Sequence, residues 1–141
     1  MSYRYQTIYN REIPKYKKEL AEFFLKLGYG RDYPVAIENS AFICICLFDE
    51  AIIGAGRAVS DLCRFAFIVD LNVEASHQRK GIGKQLLKNM VEECQSKNIN
   101  QIEISTDPNL PWLENFYTKI GFKKITDSVV MEYHLRKSPQ K

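Results

Sequence analysis

Residues 78–84 read Gln78-Arg79-Lys80-Gly81-Ile82-Gly83-Lys84, and this stretch separates a strand pattern from a helix pattern. Its two glycines let the backbone turn tightly and expose successive N–H groups. Those groups would lie at the positive end of the following helix dipole, which favours a bound anion. The stretch therefore predicts a strand–loop–helix unit that binds an anion, and phosphate is the expected ligand.

Positive charge is concentrated at this loop, because Arg79, Lys80, Lys84 and Lys88 stand within ten residues. A Walker loop requires GxxxxGK followed by Ser or Thr, and the chain has only Gly-Ile-Gly-Lys-Gln. A dinucleotide-binding fingerprint requires Gly or Ala at the position that Leu86 occupies. Nucleotide hydrolysis and dinucleotide binding are therefore disfavoured, while a plain helix-entry turn stays open as an alternative.

On both sides of the loop the chain alternates strand and helix patterns. Strands are predicted at Tyr3–Ile8, Ala41–Phe48, Ile52–Val59, Arg64–Glu74, Gln101–Thr106 and Val129–Leu135, and helices from Pro14 to Leu27, from Ile82 onward and near Pro111–Ile120. The polar segment 28–39 predicts either a short second helix or a loop. This order predicts a mixed α/β sheet.

The strand before the loop carries a carboxylate in an otherwise apolar pattern. Strict alternation places Asp70 and Asn72 on one face with Ala66 and Ile68. It places Phe65, Phe67, Val69, Leu71 and Val73 on the other face. A carboxylate in a buried-looking strand requires a partner or a function.

Composition narrows the class of protein. The chain has 141 residues, of which 45% are hydrophobic, so disorder is excluded as its dominant state. Its formal charge of +3 is well short of what an electrostatically driven nucleic-acid binder usually carries, although clustered positive charge would still matter. No apolar run approaches the roughly 18 residues of a membrane span, and residues 1–6 do not resemble a signal peptide, so a cytoplasmic protein is expected. Four cysteines and two histidines show no metal-ligand spacing, so no metal is expected.

Two motifs resemble those of the GNAT N-acetyltransferases. Gln78-x-x-Gly81-x-Gly83, after a strand that ends Asp70-Leu71-Asn72-Val73, resembles the acetyl-CoA-binding motif of that family. Residues 115–122, Asn-Phe-Tyr-Thr-Lys-Ile-Gly-Phe, resemble its late FYxKxGF segment. The resemblance implies one acetyltransferase domain over residues 1–141, with a mixed, mostly antiparallel twisted sheet. Helices would cover both faces, and two parallel central strands would splay apart.

The resemblance also implies acetyl-CoA as the cosubstrate. The backbone of Leu71 and Val73 would pair with the pantetheine arm, and the amides of residues 78–84 would hold the pyrophosphate. An N–H near Leu71 and Asn72 would stabilise the oxyanion, and Asn109 would contact the pantetheine. The implied cofactor-binding residues are Leu71, Asn72, Val73, Gln78, Arg79, Lys80, Gly81, Ile82, Gly83, Lys84 and Asn109.

Two side chains are candidates for the chemistry. Tyr117, in the second motif, is the expected general acid for the departing CoA thiolate, because a phenol with the usual pKa of about 10 is protonated at neutral pH. Asp70 is the expected base or anchor for the substrate amine, with a capping or salt-bridging carboxylate as the alternative. The family often has a glutamate earlier in this strand, where the chain has the apolar residues 65–67.

The expected reaction is direct acetyl transfer, through a tetrahedral intermediate, to a primary amine of a small molecule or protein. Aromatic residues that could line the acceptor pocket are Tyr29, Tyr33, Trp112 and Tyr133. A monomer and a homodimer are both open, and neither nucleic acid nor membrane is an expected partner. The alternatives are a non-catalytic acyl-CoA-binding sensor and a basic nucleic-acid-binding module that uses the loop cations.

Overall fold

Seven consecutive apolar residues, Phe42–Phe48, form strand β2 of a five-stranded sheet. Strands pair with it along both edges and helices cover the sheet, so all of its residues before Phe48 are buried. The computed structural model describes residues 2–30 and 32–135. The chain divides into two compact units, residues 1–105 and residues 106–141.

The first unit contains the sheet and three helices. In chain order its elements are β1 (Tyr3–Tyr9), α1 (Ile13–Lys26), α2 (Tyr33–Glu38), β2 (Phe42–Phe48), β3 (Ala51–Ser60), β4 (Phe65–Val73), a 3₁₀ turn (Ala75–His77), α3 (Ile82–Ser96) and β5 (Gln101–Ile104). Segment 28–39, which predicted a short helix or a loop, contains the helix α2.

The strands lie in the order β1-β2-β3-β4-β5. The first three pairings are antiparallel, and β4 pairs with β5 in parallel. The predicted mixed, mostly antiparallel sheet is therefore confirmed. Among the described strands β5 lies at the edge of the sheet, whereas both parallel strands were predicted to be central.

Helices cover both faces of the sheet. On one face, here the α1–α2 face, a continuous apolar core joins helix α1 to strand β2 through residues that include Phe24 and Ile45. On the other, here the α3 face, a methyl group built on Gly56 would lie 2.8 Å from Met90 Sδ, and one on Gly54 would lie 3.0 Å from Leu86 Cδ1. Helix α3 can approach β3 this closely because both positions lack a side chain.

Strand β4 contains a β-bulge. Arg57 of β3 pairs with Val69, but Ala55 pairs with Asn72, so two steps along β3 match three steps along β4. Asp70 lies in the bulge with φ of 57°. An aspartate tolerates this left-handed conformation better than most residues.

The bulge overturns part of the predicted alternation, because one extra residue shifts every later side chain to the opposite face. Val69, paired with Arg57, lies on the α1–α2 face. Leu71 lies on the α3 face, where its Cδ1 would be 3.0 Å from a methyl group on Gly56. Asp70 and Asn72 do share a face, as predicted, but Ile68 does not share it with them. Without the bulge, Asp70 would face helix α3.

The second unit contains α4 (Pro111–Ile120), which ends at Gly121 as predicted. The strand predicted at Val129–Leu135 is wrong, since this segment has no regular secondary structure. Its alternating pattern permits an extended strand, but a strand also needs a hydrogen-bonded neighbour.

Candidate functional site

The glycine-containing loop has the backbone conformation that an anion-binding turn requires. Gly81 has φ of 80° and caps helix α3, and Arg79 has φ of 63°. The helix starts at Ile82, so the amides of its first turn have no acceptor within the helix. They lie at the positive end of the helix dipole, as the sequence predicted.

Side chains fix the start of this loop to the sheet. Gln78 Nε2 donates a hydrogen bond to Val73 O at 2.9 Å, which closes the chain back onto the end of β4. The Tyr3 hydroxyl on β1 lies 2.9 Å from His77 Nδ1, in the turn just before the loop. Strands β1 and β4 therefore position the loop from two sides.

The loop cations Arg79, Lys80, Lys84 and Lys88 are all exposed. None of the ion pairs within the described residues involves any of these four. Their charge is thus not neutralised by a carboxylate of the described chain, and it is available to a bound anion.

Among the residues that the structure describes, no strand pairs with one edge of β4 next to this loop. Its pairing with β5 covers only Phe65–Ile68, although β4 itself continues to Val73. Leu71, Asn72 and Val73 thus lie on the part of β4 that extends beyond the parallel pairing. The pairing stops because β5 ends at Ile104, opposite Ile68, so the splay of two parallel strands stays a prediction. The carbonyl of Val73 already accepts the Gln78 amide, which leaves one lone pair there.

Asp70 is held by a network on the α1–α2 face. Its Oδ2 accepts hydrogen bonds from the Tyr33 hydroxyl and from Arg57 Nε, the latter at 3.0 Å. Arg57 Nη2 lies 3.0 Å from the same oxygen and completes an ion pair. The side chains of Arg57 and Asp70 are 11% and 19% exposed, so this pair is largely shielded from solvent. The salt-bridging alternative for Asp70 is therefore present in the structure.

The other predicted site residues on this face are Asn72 and two tyrosines. Asn72 Nδ2 donates to the Tyr29 hydroxyl at 3.1 Å, and the Tyr29 and Tyr33 rings lie 4.8 Å apart. Burial, followed by the hydrogen bond to Asp70, raises the pKa of Tyr33 well above its ordinary value. Tyr33 is therefore a permanent hydrogen-bond donor at neutral pH.

Sequence reasoning missed Arg57 and Ser40. Arg57 Nη1 donates to Ala36 O and to Ser40 Oγ, both at 3.0 Å, and Ser40 is only 1% exposed. The available signal was an arginine inside the apolar strand pattern 52–59, because a buried charge requires a partner.

The remaining predicted residues belong to the second unit. Tyr117 lies on α4, half-buried, with its ring centroid 5.5 Å from that of Phe116, and burial raises its pKa. Asn109 lies in the loop before α4, where its N–H donates to Asp107 Oδ1 at 2.9 Å. The two other aromatic acceptor candidates, Trp112 and Tyr133, are 61% and 89% exposed.

Within residues 2–30 and 32–135, no three His, Cys, Asp or Glu side chains are grouped to hold a metal ion. No helix in the same ranges combines the length and the apolar content needed to cross a bilayer.

Comparison with solved structures supports the fold. A GNAT-family acetyltransferase from Streptococcus pneumoniae matches with a TM-score of 0.78 and 22% identity, over 96% of this chain and all of that one. The aminoglycoside N-acetyltransferase AAC(6′)-Iy, in complex with the bisubstrate analogue CoA-S-monomethyl-acetylneamine, matches with a TM-score of 0.70 and 17% identity, over 96% of this chain and 99% of that one. At these identities the likeness shows the fold.

Sequence comparison identifies the family. A relative from Gracilaria tenuistipitata var. liui, named "Uncharacterized N-acetyltransferase ycf52", is 36% identical over 98 residues. The match covers 66% of this chain and 50% of the relative, so the chain spans only about half of that protein's length. The profile of the acetyltransferase (GNAT) family matches residues 5–122, which include both motifs quoted above. The chain therefore belongs to the acetyltransferase (GNAT) family.

Proposed function

We propose that residues 1–141 form one acetyltransferase domain that transfers the acetyl group of acetyl-CoA directly to a primary amine. The observation that carries this proposal is the loop 78–84, with its left-handed Gly81, its first-turn amides and its unneutralised cations, beside the edge of β4 that no described strand pairs with. The family match across 5–122, in both units, supports a single domain.

Acetyl-CoA fits the chemistry of these groups. A pyrophosphate needs several converging N–H donors and positive charge, which the start of α3 and the cations around it provide. A pantetheine arm carries two amides and can add to a sheet edge as an extra strand. The segment Leu71–Val73 offers backbone groups for that pairing. No metal is needed for this binding.

The reaction forms a C–N bond and breaks a C–S bond. The neutral amine attacks the thioester carbonyl carbon, and the resulting tetrahedral oxyanion needs a hydrogen-bond donor near Leu71 and Asn72. Collapse of this intermediate releases the CoA thiolate, which takes up a proton. The attacking nitrogen loses one.

We assign Asp70 as the anchor for the acceptor amine. Its Oδ2 already accepts from Tyr33 and Arg57, so Oδ1 is the oxygen left to receive a hydrogen bond from an amine. The tyrosines of this face, Tyr29 and Tyr33, would flank that amine. An ordered water on Oδ1 would then carry the proton away from the nitrogen.

Tyr117 is the proposed acid for the leaving thiolate, on the strength of the FYxKxGF resemblance. Burial raises its pKa, so the phenol keeps its proton throughout the neutral range. In solution a thiol is a stronger acid than a phenol, so proton transfer from Tyr117 to the CoA thiolate requires the two groups to be held close together.

The acceptor class is a small molecule or a protein with a primary amine. The name of AAC(6′)-Iy describes an enzyme that acts on aminoglycosides, and such amines belong in the first screen. A monomer or homodimer in the cytoplasm is part of the proposal. Reduced surroundings are compatible with the free thiols of Cys44, Cys46, Cys63 and Cys94.

The test is thiol release from acetyl-CoA, followed with a disulfide reagent, across a panel of alkylamines, arylalkylamines, aminoglycosides and lysine peptides. An enzyme releases CoA only when the correct amine is present, and the acetylated amine appears by mass spectrometry. Protein without acetyl-CoA gives the background from the exposed thiol of Cys63.

Two other outcomes would replace this proposal. Tight CoA binding without thiol release for any amine in the panel would favour the acyl-CoA sensor. Nucleic-acid binding that added CoA does not reduce would favour the basic module, because a CoA site at the cations of residues 79–88 would let CoA displace the nucleic acid.

A further inference from the structure

Arg57 is the centre of the polar network on the α1–α2 face of the sheet. It projects from β3 and is only 11% exposed. Each of its three guanidinium nitrogens makes polar contacts. Nε bonds Asp70 Oδ2 and the Tyr33 hydroxyl, Nη2 bonds Asp70 Oδ2, and Nη1 bonds Ala36 O and Ser40 Oγ, each at 3.0 Å.

These contacts join helix α2 to strand β4, which the hydrogen bond from the Tyr33 hydroxyl to Asp70 also links. The Nη1 side holds helix α2 through the carbonyl of Ala36, and it holds the buried hydroxyl of Ser40, two residues after the helix. The Nη2 side holds the β4 bulge through Asp70. The Tyr33 ring, also on α2, lies 5.3 Å from the guanidinium carbon and adds a cation–π contact.

The bulge itself needs such support. Asp70 has a positive φ, which a non-glycine residue keeps only when its surroundings hold it there. The bulge is also what turns the Asp70 side chain toward α2. The two bonds from Arg57 fix this side chain to one orientation.

We propose that Arg57 is a positioning residue for acetyl transfer: it holds helix α2 and the Asp70 bulge of β4 as one rigid acceptor surface. It has no contact with the substrates itself. It acts by fixing the Asp70 carboxylate and the Tyr33 hydroxyl at the acceptor side, while the acetyl-CoA loop at residues 78–84 is built from other groups. The kinetic part of this inference rests on the proposed function.

The planar fork of an arginine is essential to this role. A lysine keeps the charge but has a single nitrogen, which cannot reach both Asp70 on β4 and Ala36 on α2 in this geometry. Arg57→Lys therefore tests geometry separately from charge.

The experiment measures steady-state kinetics for the acceptor amine and CoA affinity by calorimetry. We expect Arg57→Lys to raise the acceptor KM about tenfold or more, since it loses bonds to charged and buried groups. CoA affinity should stay within about twofold of wild type, because the loop does not depend on this network. Guanidinium chloride at low concentration should partly restore the acceptor KM of Arg57→Ala, and sodium chloride at equal ionic strength should not.

Arg4→Gln is the matched control. It breaks an arginine–carboxylate pair of the same 3.0 Å length, with Glu50, at a site where the side chains are 54% and 82% exposed. Its acceptor KM should match wild type. Ser40→Ala removes one partner on the α2 side and keeps the pair with Asp70. It should show a smaller increase in acceptor KM and serves if the Arg57 variants do not fold.

Hydrogen exchange, measured without any acceptor, tests the same inference independently of catalysis. In Arg57→Lys the amides of 33–38 and 69–73 should exchange faster together, while those of α1 stay protected. If wild type releases no thiol with any amine, the proposed function fails, and the exchange result still decides the role of Arg57. An unchanged acceptor KM, an equal loss of CoA affinity, or unchanged exchange in both segments would overturn the inference.

Discussion

Replacing Gly81 and Gly83 by alanine, one at a time, should change stability in opposite directions although both glycines belong to one motif. A methyl group on Gly81 would meet nothing within 4 Å, so space is not the obstacle there. Its φ of 80° is the obstacle, because a left-handed conformation costs an L-residue roughly 1–2 kcal/mol. We expect Gly81→Ala to destabilise the protein by about that amount.

Gly83 is different because it lies inside the first turn of α3 with ordinary helical geometry. A methyl group there would lie 3.8 Å from Val73 Cγ2, which is normal van der Waals contact. Alanine in a helix is favoured over glycine by roughly 0.5–1 kcal/mol, so Gly83→Ala should stabilise. The two variants should therefore differ by about 1.5–3 kcal/mol, or roughly 5–10 °C in Tm for a chain of this length.

Thermal and urea unfolding of the two variants, followed by CoA titration, provides the measurement. Gly81→Ala should also weaken CoA binding about tenfold or more, because a right-handed residue there redirects the amides of the turn. Gly83→Ala should bind CoA within about twofold of wild type, since the helix backbone is unchanged. Destabilisation by Gly83→Ala, or wild-type stability of Gly81→Ala, would refute the reasoning from backbone conformation.

Three further predictions concern other parts of the chain. Tyr117→Phe should lower kcat about a hundredfold with CoA affinity preserved, and wild-type turnover would remove Tyr117 from the mechanism. The carboxylate of Asp61 accepts the N–H groups of Arg64, Cys63 and Phe65, which lowers its pKa. The ionised Asp61 therefore stabilises the fold above its unfolded pKa of about 3.9, and this stabilisation is lost as the pH falls through the lower folded pKa. In Asp61→Asn the midpoint of urea unfolding should therefore fall less steeply as the pH is lowered. Burial raises the pKa of the Cys44 thiol to about 12 and that of the Cys94 thiol to about 11. Iodoacetamide at pH 8 should therefore label the exposed Cys63 of the native protein first. Peptide mass mapping measures the order of labelling.

Local patterns were sufficient for most of the elements. The apolar run of β2, the helical spacing after Gly81 and the glycine that ends α4 each carry their own signal in consecutive residues. The loop at 78–84 was predictable for the same reason, because its glycines and cations are neighbours in sequence. The strand predicted from the alternating pattern of 129–135 was wrong because pairing with another strand is not a local property of the sequence.

The surroundings of Asp70 show why this part of the candidate site was less predictable. Nothing in residues 65–73 marks the extra residue, since no glycine stands at the left-handed position. The bulge exists because β3 pairs with β4 in two registers, Arg57 with Val69 and Ala55 with Asn72. The alternating pattern therefore correctly predicted that Asp70 and Asn72 share a face of the sheet. It wrongly predicted that Ile68 lies on the same face.

By itself, the sequence determined the family motifs, the glycine-containing loop with its cations, and most of the order of strands and helices as far as α4, because each depends on residues close together in the chain. Only the tertiary structure decided which face of the sheet Asp70 occupies and that Arg57, Tyr33 and Ser40 surround it. A buried ion pair forms between segments that are distant in sequence, and its geometry follows from strand register and helix packing. The loop at 78–84 was therefore predictable from the chain, whereas the surroundings of Asp70 required the fold.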